Sequence, residues 1–135
     1  MTNLYALGRT LLGISSAFFG LQYLHYGRFV GGLPPVPPWT PGGKLAAWIP
    51  AHLFWVYFTG IGFIASSLAI LTQIGARLAA TMLGVMFLLW VLVLHAPRVA
   101  ASLHNGDEWS SLFVALALGG GAFVLARASS QPDRA

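Results

Sequence analysis

Apolar residues in this chain fall into four long blocks, separated by two short polar breaks and one long proline-rich one. The blocks run Leu4–Tyr26, Ala51–Thr72, Leu78–Leu94 with a more polar extension to about Leu103, and Ser111–Ala128. An α-helix of about 20 residues spans the roughly 30 Å hydrocarbon core of a bilayer. Strand-type alternation is absent, and backbone polar groups in lipid must find their partners within the segment, so each block is predicted to be a transmembrane helix. The expected fold is an all-α transmembrane four-helix bundle forming a single membrane domain over residues 1–135, with helices near 4–26, 51–72, 78–103 and 111–128. Helix two could also start earlier, at Thr40-Pro41, where Thr caps and Pro occupies the first turn; Pro50 would then kink it.

The breaks between blocks differ in character. Gln73-Ile74-Gly75-Ala76-Arg77 reads as a tight turn with Gly75 as the helix stop. His104-Asn105-Gly106-Asp107 is a second turn, after which Asp107 and Glu108 sit at the positive start of helix four. Gly27 to Ala47 is long, and its prolines at 34, 35, 37, 38 and 41 stiffen it. Within the blocks, small residues mark expected helix–helix seams: Gly13, Ser16 and Gly20; Gly60, Gly62, Ser66 and Ser67; Ala80 and Gly84; and Gly119-Gly120-Gly121. Such seams would serve the bundle interior or a homo-oligomer equally well.

Composition agrees with a lipid environment. Soluble domains carry about 25% charged residues; this chain carries 7%, with 57% hydrophobic residues and a mean hydropathy of +0.75. The net charge of +4 does not point to nucleic acid, because the basic residues are scattered singly and form no stripe to follow phosphates. Arg9, Arg77, Arg127 and Arg134 fall on one side and Arg28, Lys44 and Arg98 on the other, which leans towards cytoplasmic termini in a cell membrane, the inner membrane of a bacterium. Arg9 alone reads as a head-group or partner contact, or as a positive-inside anchor. With no cysteine, thiolate-held clusters, disulfide exchange and covalent c-type haem are excluded within the chain.

One asymmetry carries candidate chemistry. By the span assignment, all four histidines (His25, His52, His95, His104) and all five tryptophans lie at one face of the membrane, with Tyr23, Tyr26, Tyr57, Gln22 and Arg98 nearby. Gln22, His25 and Tyr26 share one side of helix one; Trp48, His52, Trp55 and Thr59 form a stripe on helix two; Val91, His95 and Arg98 follow on helix three, where Pro97 could end the helix. Inward-facing stripes would line a pocket built from Gln22, His25, His52, Trp55, His95 and Arg98. Its imidazoles and arginine suit a quinone or an anionic head group. Outward-facing stripes would be an interfacial aromatic belt. No histidine spacing matches a metal signature, so no metal is assigned. The middles of the spans hold no ionisable group, which argues against proton-coupled transport, and no charged ring marks an ion channel.

The segments LGRTLLGISSAFFGLQYL, VPPWTPG, WVYFTGIGFIASSLAIL and RLAATMLGVMFLLWVLVLHAPR, taken in order, resemble the DoxX-like family of small four-helix integral membrane proteins. The Pro-Trp-x-Pro loop followed by Tyr-x-Thr-Gly is the most specific part. The resemblance implies a place in a quinone-linked membrane redox system, since the family takes its name from a subunit of a thiosulfate:quinone oxidoreductase. It carries no catalytic residue onto a numbered position here. Two functions remain open from the sequence: a redox subunit or accessory that binds a quinone at its outer face and works with an oxidoreductase partner, and a non-catalytic scaffold or lipid-binding module whose proline-rich loop docks a partner protein.

Overall fold

A computed structural model describes residues 2–27 and 52–129. The chain forms α1 (Thr2–Tyr26), α2 (His52–Thr72), α3 (Ala76–Trp90), a π-helical turn (Val91–His95), α4 (Ala96–Ala101) and α5 (Gly106–Ala128), with no strand among the described residues. The proline-rich loop with Trp39, Trp48, Arg28 and Lys44, the expected kink at Pro50, and the tail from Gln131 lie outside the described residues.

Helix α1 shows why the fold belongs in lipid. Its large apolar side chains Leu4, Leu7, Leu11, Ile14, Phe18 and Leu21 are each more than half exposed. The opposite stripe, Gly13, Ser16, Gly20 and Tyr23, is buried. Small and polar residues inside with leucines outside is the reverse of a water-soluble helix, and it costs nothing where the solvent is hydrocarbon. Four segments, Leu4–Tyr26, Leu53–Thr72, Ala76–Ala101 and Gly106–Ala128, are long and apolar enough to cross a membrane. The chain is an integral multi-pass membrane protein whose outer surface contacts lipid.

The helices close into a ring in which α1 packs on α2, α2 on α3, α3 on α5, and α5 back on α1. Close approach of backbones sets the tightest seam. A methyl group on Gly20 would lie 2.7 Å from the Gly60 carbonyl oxygen, and one on Gly60 would lie 3.2 Å from that of Gly20. The α3–α5 seam works differently: Gly84 leaves the hollow that the Phe123 ring fills, and Gly119 backs onto Phe87. Gly62, Gly120 and Gly121 meet no neighbour within 4 Å, so these three of the expected seam residues lie off the seams. Between the pairs stands an aromatic column, in which Phe63 meets Tyr23 at 5.8 Å, Phe87 at 5.6 Å and Phe19 at 6.1 Å between ring centroids.

Two boundaries differ from the sequence pattern. Helix α2 stops at Gln73, not Gly75: Gln73 takes the left-handed conformation (φ 63°), and Gly75 (φ 68°) instead caps the start of α3. Helix α5 starts at Gly106, five residues before the apolar block, because the Asn105 side-chain oxygen accepts from the Asp107 amide at 3.1 Å. Such a cap satisfies a backbone donor that hydropathy does not register. The third span runs past Pro97 to Ala101, close to its expected end near Leu103.

Candidate functional site

Two ends of the bundle can be told apart by their side chains. The start of α1, the α2–α3 turn and the end of α5 meet at the Tyr5 end, where the Tyr5 hydroxyl donates to Gln73 Oε1 at 3.0 Å and lies 3.0 Å from Ser129 Oγ. The other, the His95 end, holds the end of α1, the start of α2, the π-helical turn, α4 and the start of α5.

The π-helical turn explains how the third span passes a proline. Pro97 has no amide hydrogen to give, and in a regular α-helix its ring would crowd the carbonyl of Val93. The backbone widens just before it, so that the Ala96 amide donates to the Val91 carbonyl five residues back. One-turn π-bulges of this kind recur at functional sites. This one delivers His95 to the interior, with none of its surface exposed.

Arg98 follows one turn later, and it meets Glu108 from the first turn of α5. Arg98 Nε donates to Glu108 Oε2 at 2.8 Å while its Nη2 donates to Oε1, a two-pronged pairing that fixes both groups in one plane. Both side chains are mostly buried, at 19% and 12% exposure. His95 lies within electrostatic reach of the same carboxylate. The turn between α4 and α5 is held by Trp109, whose indole N–H donates to the Leu103 carbonyl at 3.0 Å, and by backbone bonds from Ser102 to Val99 and from Asn105 to Ser102. Nearby in the same half of the bundle, Tyr23 of α1 stacks on Trp90 of α3, with centroids 6.3 Å apart and planes within 6°.

The six residues expected to line a pocket are distributed as follows. His95 and Arg98 lie on one continuous span, one buried and one mostly buried. Gln22 is half-buried beside Tyr23. His25 is exposed, edge-on to Tyr26 at 4.8 Å. Trp55 is 44% exposed and packs against Phe54 and Phe58 on the outer surface of α2. His52 opens α2, and only its backbone is described. The structure therefore joins His95 to Arg98 and leaves His25 and Trp55 facing outward.

Three further residues belong to this region. Glu108 could not be paired with Arg98 by spacing, because the turn between them decides the meeting. Tyr23 was legible as the next step of the buried stripe through Gly13, Ser16 and Gly20. The span assignment places Trp90 at this face with the other tryptophans, but nothing in its spacing says that it meets Tyr23. Among the described residues no group of three or more metal-ligating side chains converges, and an open depression beside the site is lined by Ala100 to Asn105.

Compared with protein-family models, with curated proteins and with solved structures, the chain shows no match.

Proposed function

We propose that this protein is a subunit or accessory of a membrane redox system, and that it holds the head of a quinone or a similar lipid-soluble carbonyl compound at its His95 end. The observation that carries this reading is a wholly buried histidine, placed by a π-helical turn inside a membrane span and followed one turn later by a mostly buried Arg–Glu pair. Ionisable groups inside a membrane bundle are expensive and are kept where they serve a ligand or a proton path. The resemblance to DoxX-like proteins supports the same assignment.

The residues suit such a ligand. A neutral imidazole offers one N–H donor and one acceptor nitrogen, which matches a carbonyl oxygen in one redox state and a hydroxyl in the other. Arg98 favours negative charge on the ligand oxygen, and Glu108 keeps that arginine neutralised when no charge is present. Trp90, partly exposed and stacked on the buried Tyr23, offers apolar ring surface in the same half of the bundle. Gln22, His52 and the outward-facing His25 and Trp55 form the rim in this reading. A bound quinone supplies two-electron chemistry, and the cysteine-free chain draws the electrons from a partner protein.

Extraction of the protein purified in mild detergent, with mass spectrometric counting of quinones and phospholipids, tests the proposal. Near-stoichiometric quinone in the wild type, reduced at least about tenfold in His95→Ala, is the expected result on loss of a buried hydrogen bond and its cavity contacts. Bulk phospholipid alone in both proteins sinks the quinone site and turns attention to protein partners.

A further inference from the structure

Arg9 is not placed as a surface anchor. It shares the inward stripe of α1 with Tyr5, Leu12, Gly13, Ser16, Gly20 and Tyr23, whereas Leu4, Leu7, Gly8 and Leu11 around it are exposed. Its Nε is buried and makes no hydrogen bond among the described residues. Helical side chains lean towards the N-terminus, and Arg9 follows this rule, with its guanidinium carbon 6.0 Å from the centre of the Tyr5 ring. Tyr5 in turn is tied to Gln73 and Ser129. The guanidinium thus stands beside the ring of a tyrosine whose hydroxyl meets Gln73 and Ser129, and nearer the rim of the span than the Arg9 backbone, which lies about 7.5 Å in from Leu4 at 1.5 Å per residue.

Among the described residues no carboxylate lies at the Tyr5 end: Asp107 and Glu108 lie at the opposite end of the bundle. A half-buried arginine with a buried, unbonded donor beside a hydrogen-bonding tyrosine is a site suited to an anion. Its planar fork matches two oxygens of a phosphate group. We propose that Arg9, with Tyr5, Gln73 and Ser129 around it, binds a phosphate group at the Tyr5 end of the bundle, supplied by a phospholipid head group or by free phosphate.

Native mass spectrometry of the delipidated full chain in detergent tests this with three probes: phosphatidylglycerol, diacylglycerol with the same acyl chains, and inorganic phosphate alone. The wild type is expected to retain one phosphatidylglycerol at least tenfold more strongly than diacylglycerol. Arg9→Gln should erase that preference, and Arg9→Lys, which keeps the charge and loses the fork, should reduce it several-fold. Competition by inorganic phosphate identifies a free-anion site, and its absence identifies a head-group site; either supports the proposal. Equal retention of the two lipids by the wild type, with no phosphate adduct, overturns it, as does an undiminished preference in Arg9→Gln. The wild-type comparison decides the matter even where a variant does not fold.

Discussion

The Arg98–Glu108 pair is the most constrained polar contact at the His95 end, and its energetics are simple to state. Removing one partner leaves the other's charge buried and uncompensated, whereas an exposed pair contributes little. Glu108→Gln keeps the shape and one acceptor, and should lower stability by about 2 kcal/mol; Arg98→Ala should cost at least as much. Unfolding of the purified protein in detergent checks both, and a double-mutant cycle should give a coupling energy above about 1 kcal/mol. A coupling near zero would show that the pair is solvated. Single residues such as these were only partly legible beforehand. His95 and Arg98 stood out because charge is rare in this chain, but Glu108 read as a helix-start residue, since nothing in its spacing says which neighbour it meets.

At the level of helices, the π-helical turn and the α1–α2 seam each carry an expectation. Val93 is 40% exposed and lies within the wide turn. Deleting it should remove the one residue that the wide turn absorbs, restore regular helix and leave Arg98 on nearly the same face, so the Arg98–Glu108 coupling should survive in the same mutant cycle. Loss of the coupling on deletion would show that the wide turn itself positions the arginine. On the seam, Gly20→Ala places a methyl against the Gly60 carbonyl oxygen. Rigid backbone stands there beside the Ile64 side chain, and the backbone cannot swing aside, so a loss of about 1–3 kcal/mol is expected. Gly120→Ala meets nothing and serves as the control; it should be neutral or slightly stabilising, because alanine is the better helix former. Composition marked both glycines alike, and only packing separates them.

For the molecule as a whole, the ring of antiparallel helices puts both described chain ends on one side. The absence of native cysteine makes this directly measurable. In sealed vesicles, Leu4→Cys and Ala128→Cys should react with an impermeant thiol reagent from one side, and Asn105→Cys from the other. Labelling of all three from the same side would break the four-span topology. Among the described residues the two ends differ in charge: Asp107, Glu108 and the π-helical turn gather at one, and Arg9, Arg77 and Arg127 at the other.

The number of spans and their helical nature follow from the sequence alone. Hydropathy over about 20 residues is a property of the segment itself, and in hydrocarbon the backbone has few alternatives to helix. Helix caps such as Asn105 and the passage through Pro97 depend on individual backbone hydrogen bonds, which a hydropathy average does not contain. Which face of each helix turns inward was harder still. Every face of these helices is apolar, so there is no amphipathic contrast to read, and the choice falls to steric fit between glycines and rings. That fit made Arg9 an interior residue, buried His95, paired Arg98 with Glu108, and turned His25 and Trp55 to the outside.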